Sequence, residues 1–413
     1  MKKIAPYLLS SLMTMLMFCL HLFSGINTMI NGESFWISNS DLIEVVELHK
    51  NHPVFYKRQL TTFFIEFFSK FFSIEIGYSF VLVNFTFFFI CGPLLFYLSQ
   101  QIIKNSKIGL LSVLAFYLCF SNLFAFFIPV YTYDEPLQFC FMFLSLILFI
   151  KERIFWFILT FSLAIITRET AMILIPGLFM LYVYESKIDF KGNFESIRVR
   201  EKTIALAVPI LVYCFYVYFV MQESKDFESS RDYLLLRFSR MGYNFQNLDF
   251  IIETIGAIII MYLIPIYFLF QSFKNPFFLS LKLNKFVKAF FLTLVINLII
   301  VLLSARAREL RLLVMPLFFL WPIFGFFMSQ ELKHLLLVRQ NYFDVFAKIK
   351  YILAITFLTV LNFIVSFKIY HTTIGPKIGV FNVYLFLSIS LIIIHYLIKH
   401  DKSKKHYLNS APN

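Results

Sequence analysis

The chain has 413 residues, of which 60% are hydrophobic, 20% aromatic and only 15% charged, with a formal charge of +13. Soluble domains carry about 25% charged residues, so an ordinary soluble enzyme and a disordered chain are both excluded. The basic residues stand in short loops between apolar runs rather than in a patch. That excludes nucleic acid as a partner and marks a polytopic membrane protein.

The first apolar run, about 5–28, follows the basic start Met1-Lys2-Lys3. It is longer than a signal-peptide core and lacks a good small-residue cleavage site, so it reads as a retained anchor. Further runs fall near 76–99, 108–128, 136–150, 154–167, 170–184, 203–221, 251–271, 288–304, 312–330, 350–368 and 378–398. Lipid offers no partners for backbone polar groups, so each run is expected to be a helix. Crossing the bilayer takes about 20 residues, and the runs 136–150, 154–167 and 170–184 fall short. The last two flank Thr167-Arg168-Glu169-Thr170, as a re-entrant pair with a polar tip would. The expected fold is all-α and polytopic, a single membrane domain over 1–413 with about 11–13 transmembrane helices.

Five cysteines (Cys19, Cys91, Cys119, Cys140 and Cys214) all lie inside apolar runs without a CxxC pair, which fits packing rather than disulfide or metal chemistry. The sequon at Asn84 lies inside an expected span. Lys and Arg set the orientation. With the N-terminus inside, the inner segments hold most of the basic residues and a minority of the acids. Both termini are then cytoplasmic, the 399–413 tail is a basic cytoplasmic extension, and the protein belongs in a bacterial-type inner membrane.

Polar chemistry gathers on the outer side. The loop 29–75 holds two amphipathic segments expected to lie on the membrane surface. In one, Ser40 is a good N-cap and Glu44 and Glu47 share a face opposite Leu42, Val45 and Val46. In the other, Thr61–Ser73, phenylalanines recur at 63/64, 67/68 and 71/72, with Glu66 and Lys70 as an i,i+4 pair. Asp41 stands about a dozen residues past the first span. A carboxylate at a lipid–water boundary suits a general base; it equally suits a solvated helix start, with Glu33 and Glu44 as competitors.

Asp134 and Glu135 lie in the short outer loop Tyr131-Thr132-Tyr133-Asp134-Glu135-Pro136. Glu135 could cap the following helix, whose first turn receives Pro136. Paired acids at a dipping loop could instead bind a divalent cation such as Mg or Mn, or act as acid and base. Arg168 and Glu169 form either an isolated ion pair or, at a broken-helix tip within the membrane, a functional site. Arg306, Arg308 and Arg311 cluster on the outer side against the positive-inside rule, with Arg308 and Arg311 spaced i,i+3. They either anchor head groups by snorkelling or hold a phosphate through bidentate guanidinium forks. Arg231, Arg237, Arg240, Tyr243 and Asn244, in the outer loop 222–250, could line an anion or sugar site or form a soluble face. His49, His52, His334 and His395 show no metal spacing and read as structural. The sequence has no Walker A and no GxGxxG, so neither ATP nor a dinucleotide is expected.

These features resemble the C-type (GT-C fold) polytopic glycosyltransferases that use polyprenyl-phosphate-linked sugars. The likeness runs over about residues 5–330. It rests on Asp41 in a long first loop, the stretch His52-Pro53-Val54-Phe55-Tyr56-Lys57-Arg58-Gln59-Leu60 entering an amphipathic helix, the acidic second loop, the Thr167–Thr170 tip and the late arginines. The resemblance implies that Asp41 deprotonates the acceptor, that Asp134 and Glu135 orient acceptor or metal, and that Arg168, Arg306, Arg308 and Arg311 bind the lipid phosphate. It also implies a polyprenyl-phosphate sugar donor, a glycan or lipid-linked acceptor of the cell envelope, surrounding membrane lipid and an extracytoplasmic active site. The first-loop acid departs from the paired Asp-Glu form of that family. Two rivals stand. Arg231 to Gly242 fits an R-x10-G spacing of O-antigen-type lipid-linked glycan polymerases or ligases. Broken helices with interior arginines also suit a lipid-linked sugar transporter or flippase.

Overall fold

The structure is a computed structural model that describes residues 4–23, 39–52, 55, 57–126, 132–183, 196–223, 240–273, 281–337, 348–370 and 379–409. Among the described residues every regular element is helical. In chain order these are α1 (Ala5–Leu22), α2 (Asn39–Asn51), α3 (Gln59–Phe72), α4 (Ile76–Ile103), α5 (Ser106–Leu118), the single turn α6 (Phe120–Leu123), α7 (Glu135–Ile150), α8 (Ile154–Thr167) and α9 (Ile175–Val183). They continue with α10 (Ser196–Glu223), α11 (Leu248–Phe273), α12 (Leu281–Ser304), α13 (Leu317–Leu337), α14 (Ile349–Ile364) and α15 (Val380–Asn409). Short 3-10 segments precede α9, α11 and α13, and a π segment ends α14.

Among the described residues, seven helices are long and apolar enough to cross a membrane, and five more are apolar but shorter. The chain is therefore a multi-pass membrane protein. The expected 11–13 crossings are approached only when the short helices are counted with the long ones. The short ones hold the functional interest. At 1.5 Å per residue, the 16 residues of α7 and the 14 of α8 reach about 24 and 21 Å, less than a hydrocarbon core of about 30 Å.

Helix ends follow local chemistry. Asn105 caps α5, its side chain accepting from the backbone N–H of Lys107 and Ile108 at 3.0 and 3.3 Å. Left-handed residues Ser73 and Lys104 close α3 and α4, and Glu152 turns the α7–α8 hairpin. Aromatic packing fills the bundle. Trp321 of α13 meets Phe116 of α5 edge to face at 4.9 Å, and Phe318 meets Phe143 of α7 at 4.8 Å. Helices α5 and α13 touch through Gly325, where a Cβ would stand 2.0 Å from the Ile108 carbonyl oxygen. Its N–H donates to Ser112 Oγ at 3.0 Å.

Both surface helices of the first loop are present. Leu42 and Val46 of α2 are buried as their spacing requires, while Phe63, Phe67 and Phe71 form an exposed stacked stripe on α3. One detail differs. Glu66 pairs with Lys50 of α2 at 2.8 Å, not with Lys70. The tertiary partner ties the two helices together, which an i,i+4 pair could not do.

Candidate functional site

Among the described residues, Asp134, Glu135, Arg168, Glu169 and Arg311 of the polar residues singled out from sequence converge at one end of the bundle. Five separate segments contribute: the α2 C-terminus, the residues before α3, the loop before α7, the break between α8 and its 3-10 extension, and the turn after α12. Each places charge there because it is a helix end or a break, where backbone polar groups are already unpaired and side chains cluster.

Arg168 is extended (φ −161°, ψ 125°), between the last residue of α8 and the 3-10 turn. In extended backbone, neighbouring side chains point to opposite sides. This removes the isolated Arg168–Glu169 pair as an alternative: the two residues face different partners. Arg168 Nη1 donates to Glu135 Oε1. Glu169 instead takes the fork of Arg58, with Arg58 Nε to Oε2 at 2.8 Å and Nη2 to Oε1 at 2.5 Å. Lys57 Nζ approaches Glu169 at 3.4 Å. The backbone break is locked by Gln138, whose Nε2 donates to the Arg168 carbonyl at 2.9 Å and to Thr170 Oγ1 at 3.1 Å.

Glu135 is fully enclosed. Its Oε1 also lies 3.6 Å from Arg311 Nη1, and its Oε2 accepts from the Tyr133 N–H at 2.9 Å. Glu135 is thus a bridge between two guanidiniums in addition to opening α7. Asp134, beside it, is different. It is completely buried, yet neither of its oxygens accepts a hydrogen bond of normal geometry, and the nearest cation, Arg58 Nη1, stands 4.0 Å off. Burial pushes the Asp134 carboxyl up to about 7, against the pull of Arg58 and Arg168. Burial would lower the Arg58 guanidinium, but the Glu169 carboxylate outweighs it and the group stays charged.

His49, read from sequence as structural, stacks between Phe55 (4.3 Å) and Tyr133 (3.6 Å). Its Nδ1 is buried without a hydrogen bond. Burial, then the nearby guanidinium of Arg58, lowers its pKa to about 3 and keeps the ring neutral. Tyr133 completes the wall, its hydroxyl 3.0 Å from Thr62 Oγ1.

The late arginines do not act as one helical face. Residues 305–309 form an irregular turn, and Arg311 lies in a 3-10 segment, so an i,i+3 spacing does not align them. Arg311 joins Glu135 and Glu309. Arg308 turns to Glu253 Oε2 at 3.3 Å and to the Tyr243 hydroxyl at 2.8 Å. Arg306 lies over the Tyr243 ring at 4.5 Å. Asn244 holds this turn, donating to the carbonyls of Leu302 and Ala305 at 3.0 and 2.8 Å and accepting from the Ala307 N–H at 3.0 Å. Tyr243 and Asn244 therefore support the arginine turn rather than a soluble face.

Asp41 lies on α2, but its side chain falls outside the described residues, as do Glu33, Arg231, Arg237 and the side chain of Arg240. Eight residues separate Asp41 from His49, about 12 Å along a helix. Sequence reading passed over Arg58, Lys57 and His49 as site residues. The only signal was their place in the stretch leading into α3.

Among the described residues no group of three His, Cys, Asp or Glu side chains is arranged to hold a metal. Glu135 and Glu169 are already matched by guanidiniums, and Asp134 stands among the same cations. This donor set does not fit Mg or Mn, and no step is routed through a metal. What the fold and site define is an all-helical multi-pass membrane protein with a buried network of guanidiniums and carboxylates at one end. No family model, curated protein or solved structure matches the chain.

Proposed function

We propose that this protein is a membrane glycosyltransferase that moves a sugar from a polyprenyl-phosphate donor to a hydroxyl on a glycan or lipid-linked acceptor, at the extracytoplasmic face. The observation that carries the reading is Asp134: a buried carboxyl with no hydrogen bond, poised near neutral pH, beside the guanidiniums of Arg58 and Arg168. Burying this many charges costs several kcal/mol per ion, about what a well-made network recovers. Stability alone is a weak reason to keep them, whereas ionisable groups at membrane depth commonly serve function.

The chemistry follows from that arrangement. The donor's phosphate meets Arg168 and Arg311, whose forks suit phosphate oxygens. The acceptor hydroxyl gives its proton to Asp134 as its oxygen bonds to the anomeric carbon. The bond from that carbon to the phosphate oxygen breaks, and the electron pair leaves with the phosphate. Charge growing on the phosphate is stabilised by cations already in place, in a site shielded from water. A carboxyl titrating near the working pH suits a general base. His49, neutral and stacked, limits the space beside the Tyr133 ring.

Purified protein incubated with a panel of polyprenyl-phosphate sugars and candidate acceptors, with and without chelator, tests the proposal. Transfer by the wild type and its loss in Asp134→Asn, with donor binding retained, is the expected result. Transfer that persists in Asp134→Asn but stops in Asp41→Asn would move the base to the first-loop acid. Movement of the lipid across liposomes without any transfer would replace the transferase reading with a flippase.

A further inference from the structure

A separate cavity of about 760 Å³ lies between α5, α11, α13 and α15. It follows α13 from Leu317 to Leu332, about 22 Å of helix, and its wall is apolar over nearly all of that length. At the end nearer the arginine turn the lining includes Cys119 and Tyr384, whose hydroxyl donates to the Leu118 carbonyl at 3.1 Å, but no charged side chain. At the other end stand Glu331 and His395. Glu331 is buried and accepts from Lys399 Nζ at 2.9 and 3.0 Å, with His395 Nε2 3.2 Å away. His395 Nδ1 in turn lies 2.6 Å from the Tyr267 hydroxyl.

We infer that this groove binds an anionic phospholipid, with its acyl chains between the helices and its phosphate at the Lys399 end. Three observations choose this occupant. The long apolar wall matches hydrocarbon, not a polar solute. Charged groups occur at one end only, so the head group belongs there and not beside Arg311; a donor phosphate would need the reverse. Lys399 carries three N–H donors, of which Glu331 takes two. Its side chain is 37% exposed, and the same helix continues with Lys402, Lys404 and Lys405 in sequence. A partly exposed lysine at a membrane boundary attracts anionic head groups. The inference is independent of the transfer reaction.

Trp321 lines the groove and is one of three tryptophans. Replacing Trp36 and Trp156 by Phe leaves it as the sole tryptophan. The protein is reconstituted in phosphatidylcholine vesicles containing phosphatidylglycerol or phosphatidylethanolamine brominated in the acyl chains. Brominated phosphatidylglycerol should quench Trp321 at about fivefold lower mole fraction than brominated phosphatidylethanolamine, and Lys399→Gln should erase most of that difference. Equal quenching by both lipids, or none by either, overturns the inference. Relief of quenching by polyprenyl phosphate but not by unlabelled phosphatidylglycerol would assign the groove to the donor chain instead. The lipid comparison in the unmutated Lys399 background stands even if that variant folds poorly.

Discussion

Arg58 and Glu169 meet fork to fork across 111 residues of sequence, with Nε and Nη2 of the one on Oε2 and Oε1 of the other. The remaining guanidinium nitrogen of Arg58, Nη1, is the one that looks toward Asp134. One side chain therefore links the first loop to the tip after α8 and to the candidate base.

Breaking that pair by removing one partner leaves the other charge buried. Arg58→Met should cost about 3 kcal/mol of stability, and the double variant Arg58→Met/Glu169→Leu should regain much of it. Thermal unfolding in one detergent reads both. A double variant no more stable than the single would mean that Lys57 and water already compensate Glu169.

The raised carboxyl of Asp134 makes two pH predictions. Transfer should rise with pH through about 7 and level above it, because only the ionised form accepts a proton. Stability should move the other way. The folded value of about 7 stands above the ordinary 3.8, so the folded state holds a proton the unfolded state has lost. Asp134 should therefore lower stability as pH climbs from about 4 to 7, with no further change beyond. Asp134→Asn should flatten both profiles; an unchanged activity profile would remove Asp134 from the proton transfer.

Arg311 and Arg308 should part company in donor binding. Arg311→Ala should weaken binding of a polyprenyl-phosphate sugar by about a hundredfold, and Arg311→Lys by about tenfold, because a lysine keeps the charge but loses the fork. Arg308, held by Glu253 and Tyr243, should show the smaller loss in binding and the larger loss in melting temperature. Exposed Lys107→Ala is the control. Equal losses at all three positions would mean a diffuse charge effect.

Gly325→Val should prevent close approach of α5 and α13. Its Cβ would fall 2.0 Å from a backbone carbonyl and 2.7 Å from the Ser112 nitrogen, where nothing flexible can give way. The expected penalty exceeds the 1–3 kcal/mol, roughly, of ordinary overpacking. Loss of the monodisperse peak in size-exclusion chromatography would show it.

The helices were legible in the sequence because lipid forces apolar runs into helices, and the short runs at 136–150 and 154–167 fall almost where α7 and α8 lie. Asp134, Glu135, Arg168 and Arg311 were legible as polar residues in apolar surroundings, which are costly wherever they occur. Their pairing was not. Arg168 and Glu169 are adjacent in sequence, and only the extended backbone at the helix break sends them to separate partners. The separation of Arg308 from Arg311 was hidden for the same reason, since a helical wheel does not describe an irregular turn. His49 was invisible as a site residue: its role comes from the ring of Tyr133, 84 positions later in the chain.

The exposed phenylalanine stripe of α3 reaches further than surface anchoring. Arg58 immediately precedes the first residue of that helix. Glu169, by contrast, belongs to the interior bundle. A tilt imposed on α3 by membrane thickness or curvature would therefore be felt at the Arg58 guanidinium, and bilayer mechanics would enter the charge balance around Asp134.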